Sequence, residues 1–257
     1  MCGIAGYCLA PSERCNSSKL SRRLLLGIEE RGRHATGAAW RNDDKPQVVQ
    51  VFKRALPASK LIHDYAHRIT PNASSAVLHT RWATQGDPSN ALNNHPIVCD
   101  KVALVHNGHV SNDDEIFQRL NVRRRAKVDT EAIAALLAYG EGDITELLSQ
   151  IRGGAAVAWL NAEDKSNVLH LARVSYSPLH IAQTEAGSVL YASTRLAVVR
   201  AARKNNLKLT FHWDVPERTY IKVRDGKIIE ERQLPRVDTY LSESEYGWLQ
   251  QALANSH

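Results

Sequence analysis

The chain reads as an α+β protein in which two sheets carry flanking helices within one domain. Three observations predict this. Amphipathic stretches with helical spacing fall at 17–30, 58–68 and 129–142. From Ala155 onward the pattern turns to short apolar strands. No repeat, low-complexity tract or linker separates the two regions, and 257 residues can bury one large core unaided.

Residues 2–10 form the first strand, with an early cysteine in "MCGIAGY". Ser17-Ser18 can cap a helix reaching Glu30, with Leu20, Leu24, Leu25 and Ile28 on one face. "GAAW" and "QVVQVF" are strands joined by the polar turn "RNDDKP", and a helix covers Ala58 to Arg68. "SSAVLHTR" is a strand that opens into the long Asn- and Pro-rich loop "WATQGDPSNALNNHP". "KVALVHNG" is a strand ending in a tight Asn-Gly turn, and Ser111 caps the short helix after it. "DTEAIAALLAYGEG" is a helix capped by Asp129 or Thr130, with Ile133, Leu136 and Leu137 facing the core. "DITELLSQI" is another. Strands follow in "AAVAWLN", "NVLHLAR", "LHIAQT" and "SVLYAS", then a short helix from about Arg195. "TYIKVRDGKIIEER" is a hairpin turning at Asp225-Gly226, and an amphipathic helix closes the chain at about 241–254.

Composition narrows the function classes. No stretch approaches the roughly 18 apolar residues of a membrane helix, and the first residues lack the pattern of a signal peptide. The cysteines Cys2, Cys8, Cys15 and Cys99 form no C-x-x-C pair, which fits a reducing, cytoplasmic setting. The net charge is +6, with basic clusters at Arg22-Arg23, Arg31-Gly-Arg33 and "VRRRAK". These read as a solvated face or as a surface for an acidic or nucleic-acid-linked partner. No Walker loop or dinucleotide fingerprint occurs, so neither ATP nor NAD, nor any other cofactor, is expected. His63 and His67 lie four apart but lack the glutamate of a zinc protease motif, so no metal is expected either.

Several residues are ambiguous alone. Cys2 is a small core residue, or a nucleophile whose own α-amine, freed by removal of Met1, serves as its base. Gly3 and Gly6 beside it allow close approach of backbone or ligand. Arg81, at a strand end in "HTRWATQG", is a surface arginine or a two-pronged carboxylate clamp. Asn107-Gly108 is a turn or a pair of oxyanion donors. Asp129 is a helix cap or a partner for a substrate ammonium.

Taken in order, "MCGI", "ERGRHATG", "HTRWATQG", "HNG" and "VDTEAI" resemble the class II glutamine amidotransferase domain, an N-terminal-nucleophile hydrolase. The likeness is strongest to the glutaminase half of isomerising glucosamine-6-phosphate synthase. It extends to "IRGGAAVAWL", "ARVSYSPLHI" and "YASTRLAVV". The resemblance implies a four-layer αββα sandwich, a single type-2 domain over 1–257, and hydrolysis of L-glutamine through a Cys2 thioester. It implies catalytic roles for Cys2, Asn107, Gly108 and Arg31, the last paired with Gly32 beside the nucleophile. It implies substrate contacts from Arg81, Trp82, Thr84 and Asp129. His34 and Gln85 depart from the family, which usually has aspartate at the first position and commonly histidine or another polar residue at the second. Family members usually join this domain to one that uses the ammonia. Here the expectation is a separate ammonia-accepting synthetase or transferase subunit. The alternatives are a lone hydrolase of a γ-glutamyl or other amide, and an inactive scaffold.

Overall fold

The computed structural model describes residues 1–42 and 44–236. Its elements run β1 (Gly3–Cys8), α1 (Ser17–Ile28), β2 (Ala35–Asn42), β3 (Lys45–Arg54), α2 (Ala58–Tyr65), β4 (Ala73–Arg81), β5 (Ile97–Cys99), β6 (Val102–Val110), α3 (Asp113–Leu120), α4 (Thr130–Tyr139) and α5 (Ile144–Ser149). Then come β7 (Gly153–Asn161), β8 (Val168–Ser175), β9 (His180–Thr184), β10 (Val189–Ala192), α6 (Arg195–Lys204), β11 (Leu209–Asp214), β12 (Thr219–Arg224) and β13 (Lys227–Gln233).

Two antiparallel sheets result. One has the order β11-β9-β10-β1-β4-β2-β3 and the other β13-β12-β8-β7-β6-β5. The period-2 alternation of each strand divides the apolar side chains into three layers. Ile4 and Cys8 of β1 meet Val105, Ala158 and Ile221 of the second sheet. Ala5 and Tyr7 of the same strand face the opposite way, against Leu20, Leu24 and Leu25 of α1 and Ala197 and Val198 of α6. Val102, Leu104 and Trp159 on the outer side of the second sheet pack on Ile133 and Leu136 of α4 and on α3 and α5. The chain is therefore a four-layer αββα sandwich.

Local details differ from the sequence reading. Asn16, not Ser17-Ser18, caps α1, accepting the Lys19 N–H at 2.8 Å. Helix α2 ends at Tyr65 and tightens to a 3₁₀ turn over Ala66–Arg68. Asn112, not Ser111, precedes α3. Gly3 and Gly6 make room for packing rather than for a ligand: a Cβ on Gly6 would lie 2.0 Å from the Ala76 carbonyl oxygen. The largest difference is at Asn107-Gly108, which is no turn. Strand β6 runs through it to Val110, because β7 pairs the whole way, Asn107 with Ala156 and Gly108 with Ala155. The short strand β5 and the edge strand β11 have no counterpart in the sequence reading. The expected hairpin is present, with Asp225 and Gly226 both at positive φ as its turn type requires. The helix expected at 241–254 lies outside the described residues.

Candidate active site

The start of β1 and the ends of β4 and β6 meet at one edge of the sandwich. Gly3 pairs with Thr80, so Cys2 lies beside Arg81. Cys2 shares the parity of Ile4, which turns its thiol toward the second sheet. A small cleft gathers Cys2, Arg81, Trp82, Thr84, Gly108 and Asp129, together with Gln85, His95, His106 and Thr130. A larger cleft opens at the opposite end of β1 and β4, and none of these side chains reaches it.

The thiol donates to the Trp82 carbonyl at 3.6 Å. Burial pushes the thiol pKa up, outweighing the Trp82 contact and the neighbouring positive charges. Cys2 therefore rests as a thiol at neutral pH and needs a base to become a nucleophile. Arg31 does not line the cleft. Its Nε donates to the Cys2 carbonyl at 2.9 Å, which fixes the N-terminal strand from behind. Gly32 follows because a Cβ there would lie 2.4 Å from the Arg81 carbonyl carbon.

Arg81 is 2% exposed and is not a free fork. Its guanidinium donates to Asn94 Oδ1 at 3.0 Å, to the Gly86 carbonyl at 2.8 Å and to the Gln85 carbonyl. It thus folds the 82–94 loop over the cleft and keeps only part of its donor set for a ligand. Lys53 supports the far end of that loop, donating to the Asn94 and Pro96 carbonyls at 2.6 and 2.9 Å. Trp82 stands half-exposed at the rim.

Asp129 occupies the N-cap position of α4 but makes no cap bond. Its carboxylate instead accepts the Val110 N–H at 2.7 Å and lies 3.3 Å from His109 Nδ1. It so ties the helix start to the strand that carries Asn107 and Gly108. Gly108 has φ +147°, and a Cβ on it would lie 1.8 Å from the Gly154 carbonyl oxygen, so no other residue fits. Asn107 is 1% exposed, and its Nδ2 has no hydrogen-bond partner among the described residues. An orphaned buried amide costs about 1–3 kcal/mol, and this one is available to an acceptor placed beside it.

Sequence reasoning missed a group of three buried histidines beneath this cleft. His79 stacks on His95 at 3.9 Å. His79 Nε2 meets the His106 carbonyl at 3.0 Å. Thr130 Oγ1 meets His95 Nε2 at 2.8 Å and His106 Nδ1 at 3.0 Å, while His106 Nε2 faces the Gly154 carbonyl at 3.4 Å. Carbonyls only accept, so His79 and His106 both carry their proton on Nε2. Thr130 then donates to His106 Nδ1, and His95 Nε2 donates to Thr130. The result is a chain from His95 through Thr130 to the strand end bearing Asn107 and Gly108. Burial lowers the pKa of all three rings, that of His79 to about 3. In the sequence only His106 adjoins a singled-out motif, directly before Asn107-Gly108, while His79 and His95 lie 27 and 11 positions away, and only the fold brings the three together.

The other candidates lie elsewhere. His63 is exposed and pairs with Asp64 at 2.7 Å. In "VRRRAK", Arg124 pairs with Asp113 and Asp114, and Arg125 with Glu131. No helix among the described residues is long and apolar enough to cross a membrane.

Residues 79–200 match the family model described as a glutamine amidotransferase domain. The glutamine–fructose-6-phosphate aminotransferase (isomerizing) of Helicobacter pylori strain J99 is 31% identical across 76% of this chain and 32% of its own length. That of Staphylococcus aureus strain Mu50 is 30% identical across 95% of this chain and 40% of its own. This chain spans about a third to two fifths of these curated relatives. Among solved structures, glutamine phosphoribosylpyrophosphate amidotransferase from B. subtilis, complexed with ADP and GMP, superposes with a TM-score of 0.73 at 17% identity, covering 91% of this chain and 49% of that one. A glutamine aminotransferase class-II domain protein from Silicibacter pomeroyi has a TM-score of 0.54 at 12% identity, covering 91% and 100%. At these identities the structural likeness is one of fold.

Proposed function

The chain belongs to the glutamine amidotransferase domain family, and from that membership we propose that it hydrolyses L-glutamine to glutamate and ammonia through a thioester on Cys2. The observation that carries this reading is the shared cleft of Cys2, Arg81, Gly108 and Asp129. It offers a nucleophile, a cation for a carboxylate, a backbone N–H for an oxyanion and a carboxylate for an ammonium.

Removal of Met1 frees the Cys2 α-amine, which titrates near pKa 8 and takes the thiol proton. This base is needed because burial keeps the thiol protonated. The sulfur attacks the side-chain amide carbon of glutamine. Asn107 Nδ2 and the Gly108 N–H receive the oxyanion. The proton held by the α-amine passes to the departing nitrogen, the C–N bond breaks, and ammonia leaves a thioester behind. The amine then takes a proton from water, hydroxide adds to the thioester, and glutamate departs as the thiol is re-formed. Arg81 and Thr84 hold the substrate α-carboxylate end, Asp129 its α-ammonium, and Trp82 covers the mouth. Arg31 fixes the Cys2 backbone.

The direct test is intact mass before and after treatment with a glutamine-mimicking electrophile such as a chloroketone. The expected result is loss of Met1 and one adduct, on Cys2, absent in Cys2→Ala. Labelling of another cysteine, or none, overturns the mechanism.

The ammonia acceptor in this proposal is a separate synthetase or transferase subunit. Glutaminase turnover is then slow alone and rises several-fold on complex formation. Fast turnover alone, with preference for another amide, would replace this part of the reading with a lone amidohydrolase.

A further inference from the structure

His34 stands just before β2, exposed at the rim of the cleft and outside the residues assigned to chemistry above. Its surroundings follow from the strand order. Strand β4 lies between β1 and β2, pairing with both. The chain leaving β4 therefore passes between the start of β1, which carries Cys2, and the start of β2, which follows His34. The His34 N–H donates to the Arg81 carbonyl at 3.0 Å, extending the β2–β4 ladder by one step.

Beyond that step side chains take over from backbone. The peptide group joining Trp82 to Ala83 is held at both ends. Its carbonyl oxygen accepts the Cys2 thiol at 3.6 Å. Its N–H donates to His34 Nδ1 at 2.9 Å. The group is planar, and in a trans peptide its C=O and N–H point in opposite directions. Fixing the N–H therefore fixes the carbonyl. The ring also packs on Trp82, with centroids 5.0 Å apart at 36°. Because Nδ1 accepts, the ring proton is on Nε2.

We propose that His34 is the positioning residue of the nucleophile: through the one rigid peptide between Trp82 and Ala83, its Nδ1 sets the direction of the carbonyl that holds the Cys2 thiol. Without an acceptor at this position the peptide plane is free to turn, and the thiol loses its fixed rest position. His34 touches neither the substrate nor the sulfur in this scheme. Its contribution reaches the reaction only through the peptide. The inference rests on the glutaminase reading for its kinetic consequence, whereas the effect on the thiol is independent of it.

The test uses His34→Ala, His34→Leu and His34→Asn in the full chain. Asparagine places a carbonyl oxygen near the position of Nδ1 and so keeps the acceptor, whereas leucine keeps apolar contact with Trp82 and removes it. Three quantities are read: kcat and KM for glutamine, the rate of Cys2 alkylation by iodoacetamide followed by intact mass, and the melting temperature. One hydrogen bond at a reacting group corresponds to about tenfold in rate. The alanine and leucine variants are therefore expected to lose about tenfold in kcat, with KM within about threefold and alkylation altered severalfold. The melting temperature stays near that of the parent, since the side chain is exposed, and asparagine restores kcat and alkylation. Alanine and leucine variants that match the parent in kcat and alkylation overturn the proposal. So does a leucine variant that equals asparagine, since the ring then acts only by packing on Trp82. If the parent chain does not hydrolyse glutamine, the glutaminase reading falls, and the alkylation rates alone decide the role of His34.

Discussion

Asn107→Ala is expected to lower kcat for glutamine hydrolysis by about 100- to 1,000-fold, the usual consequence of removing one oxyanion donor. The reason lies in the geometry of β6. The strand passes straight through Asn107 and Gly108, so the Asn107 side chain points between the sheets and the Gly108 N–H sits at the cleft. The buried Asn107 Nδ2 has no partner among the described residues. It can therefore strengthen its bond as negative charge develops on an incoming oxygen, without first breaking one. Such a donor acts in the transition state and little in the ground state, so KM should move by no more than a few-fold. Alkylation of Cys2 by iodoacetamide forms no oxyanion and should be unchanged. That pairing separates the role from a folding defect. An Asn107→Ala enzyme with the parent kcat, or one that loses alkylation to the same degree, would remove Asn107 from the oxyanion site.

The second large effect is on stability in acid. His79 sits fully inside the molecule, where burial lowers its pKa from 6.5 to about 3. The unfolded chain takes up a proton at this residue below pH 6.5, and the folded one does not until about pH 3. Between those values the unfolded state binds more protons, so stability falls as pH falls. The loss approaches about 5 kcal/mol at the lower limit, from 1.36 kcal/mol per pH unit. It is about 2 kcal/mol by pH 5. His95 and His106 act in the same direction, because burial lowers both. Against a typical total of about 5–15 kcal/mol, this is a large share. Urea unfolding at steps from pH 7 to pH 4 should show a steady fall in midpoint. His79→Gln keeps a donor for the His106 carbonyl and removes the titration, so its slope should be shallower. A midpoint that is flat from pH 6.5 to 5, or an unchanged slope in His79→Gln, would contradict the assignment.

Much of the architecture is legible in local pattern. The strands stand out as short apolar runs, helix α1 carries its apolar face at the expected spacing, and Asp225-Gly226 announces its hairpin. The misreadings share one cause. Asn107-Gly108 has the chemistry of a turn, and in isolation it would turn. An antiparallel register with β7 that runs unbroken through both residues holds them extended, and that outweighs the local preference. Asp129 has the chemistry of a cap, but the Val110 N–H, 19 residues away in the chain, lies closer to hand. Strand β11 lacks a recognisable alternation because it lies at the edge of its sheet, paired among the described residues only with β9.

For the site, the sequence alone determined which reactive groups exist and in what order: the cysteine next to Met1, the arginine after a strand, the Asn-Gly pair and the acid at a helix start. Their motifs point to one family because each is short and the set is long. Only the tertiary structure decided how those groups are held. Arg81 is largely engaged by the loop it supports, Thr130 links two histidines to the strand that carries Asn107 and Gly108, and one peptide joins His34 to Cys2. The contacts of Thr130, His34 and Cys2 join residues 24 to 80 positions apart. Their geometry is set by strand register and layer packing, which no local stretch of sequence encodes.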